Sequence, residues 1–557
     1  MDKMYKQLKN LSLHEQIEYL TKELVKIKSY SGTNGEREKT EFLYKLITKF
    51  PYFQMNPKNV WIQQLEKGKR LNVFAFVEAK TKSSKTIIFH AHVDTVGIED
   101  FGHIKDLAHD SEALEAYFAQ YEGDQEVQQD ALSKEWVFGR GALDMQSGIS
   151  IHLANLLHYS SLEELDGNIL VLFNADEENQ HIGIRGALNE LLRLKTEKDL
   201  KYIGAINNDF ISPLYQGDTT KYIYCGGAGK LLPSFSIFGR EAHVGESLAG
   251  LDPTLIASEI NRRINQNFSL AESLDEELVL PPSCLYMKEN KNSYNVQTPV
   301  SVRMYFNYFI YQSTPRKILE KLKEIAIQSC QQIEAEIMRN YTAYQKANKL
   351  PARSLEWKTE VLTLEEYMDK LNKKHLDPEK IIKSILDNGN NEHKDDRLIA
   401  FEIVEALQIL DPEKKPRVII FYAPPYLPSN TLQNDSTSLR LKEMVAEVLK
   451  QSEKQFKEHF SLRGYFPYLC DGSFLAFHGD KREIETVKNN FPGMDTLFPI
   501  ALETMKELNI PAFNIGVYGK DGHKWTERVY KPYSFHVLPL LIRAVTDKLL
   551  ADFEVDE

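Results

Sequence analysis

Cysteine is scarce in this sequence, with four residues in 557 and no CxxC spacing among them. Cysteines scattered in this way argue against a disulfide framework and favour a reducing compartment. The opening residues, MDKMYKQLKN, lack the apolar stretch of a signal peptide, and no apolar run has the length of a membrane span. We therefore expect a cytoplasmic protein with no membrane partner.

Positive charge is also in short supply, because 68 lysines and arginines stand against 80 aspartates and glutamates. The net charge of −12 argues against nucleic acid and anionic membranes as partners. Hydrophobic residues make up 42% of the chain, enough for a substantial core. Since 557 residues exceed what one core organises, we expect two or three domains.

What the sequence does contain is four short apolar runs, each followed by side chains that can bind a metal ion. Residues 86–89 precede HAHVD, residues 169–173 precede NADEE, residues 202–206 precede NND, and PAFNIGVYG precedes DGHKWTE. Unbroken apolar runs bounded by turn residues are typical of strands buried on both faces of a parallel sheet. Open α/β sheets form their sites at the carboxyl ends of strands, so the four clusters predict one site at a single sheet edge.

Each cluster has a functional and a simpler interpretation. His92 and Asp94, in HVD, fit a zinc ligand with a carboxylate that fixes its tautomer, or a core histidine beside a loop-capping aspartate. Asp144, in GRGALDMQSG, can bridge two metals with its two oxygens, or cap the helix that follows it. Glu177 and Glu178, in DEE, repel one another unless a cation offsets them, yet acidic surface turns are common.

The remaining candidates are weak one by one and stronger together. Asp209 stands in NND. His523 and Glu527, in HKWTE, fit a ligand with a supporting acid, or simply the start of a helix. Ordinary loops do not explain why histidines and carboxylates recur at predicted strand ends. The combination favours a site for two metal ions.

The ordered segments HVDTV, GRGALDMQSG, NADEE, GREAHVG and GHKWTE resemble the zinc exopeptidase family of aminoacylase, acetylornithine deacetylase, succinyl-diaminopimelate desuccinylase and the di- and tripeptidases. The resemblance spans nearly the whole chain. The long inserted region and the segment APPY are similar to the arginine-utilisation branch of that family.

The resemblance implies an α/β fold: a zinc-peptidase catalytic domain with a mostly parallel sheet, plus an inserted α+β lid domain with a helical extension. We expect the catalytic domain in two segments, residues 1–224 and 428–557. The lid and dimerisation domain is then expected over residues 225–427, with its helical extension at 340–415. The family implies a homodimer through the lid, with a monomer covered by the extension as the alternative.

The resemblance also implies a role for each candidate in the catalytic segments. His92 and Asp209 would bind one metal, Glu178 and His523 the other, Asp144 would bridge both, Asp94 would orient His92, and Glu177 would be the general base. The two divalent ions are expected to be zinc, with cobalt or manganese as alternatives. They would lower the pKa of water to about 7 and polarise the scissile carbonyl, while Glu177 moves a proton from the water to the leaving amine.

Three further residues belong to the predicted lid. In the family a lid histidine stabilises the oxyanion, often in the partner subunit's site, and His243 in GREAHVG matches it. Asn295, in NVQTP, resembles a lid asparagine that contacts substrate, and Arg303 is the arginine nearest to where a carboxylate-binding one is expected. Without the resemblance, His243 would be interpreted as a surface-turn histidine and Asn295 as a strand-end residue. The segment NQHIGIRGA after DEE departs from the family by being longer than the typical form.

The function expected from these residues is hydrolysis of a C–N amide bond in a small amino-acid derivative or dipeptide, and the branch implies a role in arginine catabolism. A general dipeptidase is the first alternative. The second is a catalytically silent protein that binds amino-acid derivatives on the same fold. Glu177 argues against the silent protein, because a site that only binds ligand needs no base beside its metals.

Overall fold

The computed structural model describes residues 1–66, 69–274, 277–291, 293–355, 357–392 and 394–554, which form two compact units. Unit 1 consists of Met1–Gly227, Asn430–Phe477 and Thr504–Glu557. Unit 2 consists of Ala228–Ser429 and His478–Glu503. The chain therefore leaves unit 1 twice, once for a long insertion and once for a short one.

The α-helices are Asp2–Leu8 (α1), Leu13–Val25 (α2), Asn34–Ile47 (α3), Pro51–Met55 (α4), Ser111–Phe118 (α5), Gln125–Ser133 (α6), Ser147–Tyr159 (α7), Ile182–Glu197 (α8), Pro253–Ile264 (α9), Pro315–Ala347 (α10), Leu364–Lys373 (α11), Pro378–Glu392 (α12), Asp396–Leu410 (α13), Ser436–Phe456 (α14), Lys481–Asn489 (α15), Met494–Leu497 (α16), Leu502–Leu508 (α17) and Leu538–Asp552 (α18). The strands are Val60–Leu65 (β1), Arg70–Val77 (β2), Lys85–His92 (β3), Trp136–Phe138 (β4), Asn168–Asn174 (β5), Lys201–Asn207 (β6), Lys221–Tyr224 (β7), Gly226–Gly227 (β8), Gly229–Phe238 (β9), Ser273–Leu274 (β10), Glu277–Leu278 (β11), Ser283–Glu289 (β12), Ser301–Ile310 (β13), Glu360–Thr363 (β14), Arg417–Leu427 (β15), Asn430–Thr431 (β16), Phe460–Arg463 (β17), Ala512–Ile515 (β18), Gly519–Lys520 (β19) and Arg528–Tyr530 (β20).

The main sheet of unit 1 has eight strands in the order β1-β2-β5-β3-β6-β18-β7-β17. Its central strands, β5, β3, β6 and β18, are mutually parallel. They are the four apolar runs of the sequence, and β3 and β5 are buried along almost their whole length because both sheet faces are covered. The predicted α/β fold with a mostly parallel sheet is confirmed, and the carboxyl ends of the four strands meet at one edge.

Helix α7 lies at the centre of unit 1, packed against the sheet and against α2 and α18. Its sequence is apolar or small on nearly every face, so a buried position suits it. The spacing of the apolar residues Ile149, Leu153, Leu156 and Leu157 predicts this helix, and the structure confirms it. Asp144 lies three residues ahead of it, in the short segment Ala142–Gln146 that leads into the helix. The buried helix therefore fixes the position of this segment at the sheet edge.

Unit 2 contains a five-stranded sheet in the order β12-β13-β9-β15-β14, antiparallel except for the parallel pair β14 and β15. Helix α10 begins at Pro315 with Thr314 as its cap, as the Thr-Pro pair predicts. Helices α11 and α13 pack against β15 and bury Tyr367, Phe401 and Leu407. The lid region is therefore a mixed α and β structure.

Two features of unit 2 differ from what the sequence suggested. The region 340–415 is mostly helical, but it also contains strand β14, which pairs with β15. Residues 478–503 pack within unit 2, whereas the sequence predicts that all of 428–557 belongs to the catalytic domain. There, Arg316 at the start of α10 donates to the Glu483 carboxylate of α15 through its backbone and side chain, a long-range contact that no local pattern reveals.

Among the described residues, no helix has both the length and the apolar character needed to cross a membrane.

Candidate active site

The predicted site residues of unit 1 follow the parallel strands of the main sheet. His92 ends β3, the turn Asp176–Glu178 follows β5, Asp209 follows β6, and His523 lies in the loop between β19 and β20 beyond β18. Parallel neighbours present their carboxyl ends on the same side, so residues hundreds of positions apart meet there. The backbone of Asp176 and His523 adopts positive φ angles of 63° and 64°, a left-handed conformation that is uncommon outside glycine and found at functional sites.

The Asp144 carboxylate lies between two histidines. One oxygen, Oδ1, lies 3.0 Å from His92 Nε2, and the other, Oδ2, lies 2.9 Å from His523 Nε2. The opposite ring nitrogen of His92 lies 3.1 Å from the backbone oxygen of Asp94 and 3.5 Å from its carboxylate. A proton on that nitrogen leaves Nε2 with the lone pair that a metal ligand needs. Asp144 therefore has the geometry of a bridging carboxylate.

Glu178 completes the cluster on the other side, with Oε1 3.0 Å from His523 Nε2. The side chains of His92, Asp144 and Glu178 are buried, whereas that of His523 is 48% exposed. The cluster thus opens to solvent beside His523, where a small molecule or an ion can enter.

The turn that carries the two glutamates is fixed by Asp94. Its two carboxylate oxygens accept the backbone N–H groups of Glu177 at 3.0 Å and of Glu178 at 3.1 Å. Asp176, the first residue of the turn, accepts a hydrogen bond of 2.9 Å from Arg70. Asp94 is therefore placed to orient both His92 and the turn, which is more than the sequence predicted for it.

The electrostatics of the cluster show a deficit of positive charge. Burial, and then the charge of Asp144, raises the pKa of Asp209 to about 8, and burial raises the pKa of Glu177 well above its usual range. Hydrogen bonds to Asp144 and Glu178 raise the pKa of His523 to about 11. Burial alone would lower the pKa of His92, but its contacts with Asp144 and Asp94 raise it well above the ordinary value. These shifts have one common cause, which is the crowding of buried carboxylates around the two histidines.

Divalent cations fit this arrangement. Ligand atoms of His92, Asp144 and Glu178 all lie within 4.8 Å of one another. Imidazole nitrogen and carboxylate oxygen are ligands that zinc accepts, and a cation would displace the protons held by the cluster. His523 borders the same group, 2.9 Å from Asp144. Asp209 is close enough for its charge to interact with Asp144 and His92.

The predicted lid residues His243 and Asn295 lie together on unit 2. Val244 N–H, next to His243, donates to the Val296 carbonyl at 2.9 Å, and His243 pairs with Gln297 in an isolated β-bridge. Both side chains are exposed, with His243 Nδ1 accepting from Gly245 N–H at 3.1 Å. Their proximity within unit 2 is compatible with one shared surface, and their roles stay predictions.

Arg303 is occupied by an ion pair that the sequence did not suggest. On β13, its Nε and a terminal nitrogen donate to both carboxylate oxygens of Glu405 on α13, at 2.7 and 2.6 Å. A two-point ion pair of this kind holds helix α13 on the sheet. It also occupies the two N–H donors that a substrate carboxylate would need. A substrate carboxylate would have to compete with Glu405 for these donors, and the substrate role of Arg303 stays a prediction.

Sequence reasoning missed three residues of the site. Arg140, quoted only as part of GRGALD, donates to the Glu527 carboxylate at 2.7 Å. His181 and Asp471 form a buried pair at 2.9 Å beside Glu177. The unusual length of the loop after DEE was a signal for His181, but nothing near Asp471 in the chain points to this site.

The chain is similar to a peptidase family and to several known proteins. Residues 88–343 match the model of Peptidase family M20/M25/M40. Protein RocB of Bacillus subtilis (strain 168) is 50% identical over 555 residues, 99% of this chain and 98% of RocB. Uncharacterized protein YqjN of the same organism is 30% identical over 553 residues, 98% of each chain. The crystal structure of aminopeptidase PepT from Bacillus cereus ATCC 10987 is 12% identical with a TM-score of 0.49, covering 96% of this chain and 98% of PepT.

The chain belongs to the M20/M25/M40 peptidase family, a family of metal-dependent hydrolases. Its similarity to RocB runs through both units from end to end. The family predicted from the ordered segments, and its RocB branch, are confirmed.

Proposed function

We propose that this protein hydrolyses a C–N amide bond in a small amino-acid derivative or dipeptide of arginine catabolism, with two divalent ions at the cluster around Asp144. The observation that carries the proposal is the Asp144 carboxylate, whose two oxygens lie 3.0 and 2.9 Å from two different histidines. The similarity to RocB supports the arginine branch.

The proposed ligands divide into two sets around the bridging Asp144. His92 and Asp209 would hold one ion, and Glu178 and His523 the other. When bound, the two ions, which we propose to be zinc, would activate water and polarise the scissile carbonyl. The bridging carboxylate and the Asp94 contacts keep the ligands oriented before any ion binds, which lowers the cost of assembling the site.

Glu177 is the proposed general base. It adjoins Glu178 in the turn fixed by Asp94, so it lies beside a ligand without being assigned as one. From there its carboxylate would take a proton from the attacking water and deliver it to the leaving amine. We propose that His243 stabilises the oxyanion, across a homodimer of lid domains, and that Asn295 contacts the substrate.

The decisive experiment is turnover by purified protein of known metal content. The panel contains N-acyl derivatives and dipeptides of arginine, ornithine and citrulline, with matched alanine compounds and the Glu177→Gln variant as controls. We expect amine release from the first group that exceeds both controls. Equal turnover of arginine and alanine dipeptides would favour a general dipeptidase, and binding without any turnover would favour a silent binding protein.

A further inference from the structure

The long loop after DEE places a histidine against an aspartate from a distant part of the chain. His181 Nδ1 lies 2.9 Å from Asp471 Oδ1, and both residues are buried, at 5% and 2% exposure. His181 has a φ of 55°, and its N–H donates to the Asp176 carbonyl at 2.7 Å. This left-handed turn brings the imidazole back toward the site.

Asp471 is held on its other side as well. Its second oxygen, Oδ2, accepts a hydrogen bond from the Asn174 side chain, and Asn174 is the last residue of β5, just ahead of the DEE turn. The ring of Phe474 packs against the His181 ring with 5.1 Å between centroids. The imidazole thus has a fixed place and a fixed hydrogen-bond acceptor.

The same ring nitrogen faces the proposed general base. Glu177 Oε1 lies 4.0 Å from His181 Nδ1, and ligand atoms of Glu177, His181 and Asp471 all lie within 4.8 Å of one another. Two carboxylates this close repel one another, and the N–H between them is the group that offsets the repulsion. A glutamate side chain can rotate about several bonds, and such a contact holds its carboxylate in one orientation for proton transfer.

We propose that His181, oriented by Asp471, is a positioning residue that holds the Glu177 carboxylate for proton transfer, an inference that rests on the proposed function. The three side chains also have the composition of a cation site. A cation there would occupy the Glu177 carboxylate, which must accept a proton, so we assign His181 to positioning. The tests below distinguish this role from metal binding.

The first test compares His181→Ala with His181→Asn, whose amide N–H replaces Nδ1–H. We expect His181→Ala to lower kcat about 10–100-fold, the usual cost of losing such a support, with KM and metal content unchanged. His181→Asn should recover most of kcat. His375, exposed and also left-handed with φ 57°, is the matched control, and His375→Ala should behave as the wild type.

The second test asks whether His181 acts through Glu177. In the Glu177→Gln background, His181→Ala should cause no further loss of kcat, because residues that act as one unit are not additive. A wild-type kcat in His181→Ala, an equal defect in His181→Asn, or full additivity would overturn the proposal. Loss of a metal ion with His181→Ala would assign the group to cation binding instead.

A readout without catalysis separates this inference from the proposed function. In metal-free protein, the Nδ1 proton of His181 should give a downfield proton resonance that disappears in His181→Ala and shifts in Asp471→Asn and Glu177→Gln. If the protein hydrolyses no amide yet shows this signal, the proposed function fails and the pair stands. If it hydrolyses amides and Glu177→Gln leaves the signal unmoved, the positioning role fails.

Discussion

The Glu527 carboxylate accepts the backbone N–H of Asp144 at 3.1 Å, so the acid of HKWTE holds the backbone of the central residue of the cluster. The same oxygen accepts the Leu143 N–H at 3.0 Å, and the other oxygen receives Arg140 at 2.7 Å. Glu527 is nearly fully buried, so this connection is shielded from water. The position of Asp144 therefore depends on a residue 383 positions away.

The first prediction follows from that contact. Glu527→Ala frees the Asp144 turn and should weaken metal binding about 10–100-fold, as loss of a supporting contact usually does. Glu527→Gln keeps an acceptor for the two N–H groups and should fall between Ala and wild type. Metal titration of the apo protein measures both, with Glu163→Gln at an exposed position as the control. Unchanged affinity in Glu527→Ala would show that the turn is held by its other contacts.

Asp144 itself provides the second prediction. Because its two oxygens face two histidines, Asp144→Ala removes the group that we propose to share between two ions. We expect elemental analysis to find two divalent ions per wild-type chain and at least one fewer in the variant. Asp106→Ala, at an exposed position, should keep both. A fully active preparation without transition metal would contradict the two-metal site.

The third prediction concerns the general base. Glu177→Gln keeps the size of the side chain and the backbone contact with Asp94 but cannot take up a proton. Turnover should fall by at least about 10²–10⁴-fold, the usual contribution of general acid–base catalysis, while metal content stays nearly intact. Steady-state kinetics and elemental analysis on the same preparation check both halves. Near-normal turnover would place the base elsewhere.

The fourth prediction concerns His243 and the proposed dimer. Loss of an oxyanion donor costs about 10²–10³ in turnover, so His243→Ala should be nearly inactive. Glu177→Gln should be nearly inactive as well, because it lacks the proposed base. Co-refolded together, they should recover about a quarter of wild-type activity, because half of randomly formed dimers contain one intact composite site.

Controls for the mixing experiment use a double variant that carries both substitutions. Refolding it with His243→Ala should restore nothing, since no subunit then supplies the histidine. A monomer in solution with an inactive His243→Ala and no recovery on mixing would show that the histidine acts within its own chain. An active His243→Ala would remove the residue from the mechanism.

The fifth prediction concerns the stability of unit 2. Asp411 and Arg417 are both fully buried and form an ion pair of 2.8 Å, with Lys374 also 2.8 Å from Asp411. Asp411→Asn removes the fully buried carboxylate between Arg417 and Lys374, which keep their contacts with Glu360 and Glu413. We expect this change to lower the free energy of unfolding by about 3 kcal/mol. Arg397→Gln breaks a partly exposed pair and should cost about 0–1 kcal/mol. Denaturant titration measures both, and equal midpoints for the two variants would contradict the prediction.

The same pair sets a pH dependence. Burial alone would raise the pKa of Asp411, but the hydrogen bond from Lys374, the Glu413 N–H and the charge of Arg417 outweigh it and lower the pKa below 3.8. The stability that Asp411 contributes is therefore present above pH 3.8 and lost as the pH falls through the lower folded pKa. The difference between wild type and Asp411→Asn should shrink only in that acidic range.

By itself, the sequence determined the local structure and the types of chemistry. Apolar runs bounded by turn residues predicted β3, β5, β6 and β18, because burial on both faces leaves a clear hydrophobic signature. The order of the segments around His92, Asp144 and Glu178 predicted the family, since ligand type and strand-end position follow directly from residue identity.

Only the tertiary structure decided which distant side chains meet. Glu527 contacts the Asp144 backbone across 383 positions of the chain, and Asp471 contacts His181 across 290. No periodicity in the sequence encodes such pairings. The structure also pairs Arg303 with Glu405, a contact that the sequence did not predict. The physical reason is the same in each case. A local pattern determines how a segment folds, but the packing of distant segments determines which partner a buried charge contacts.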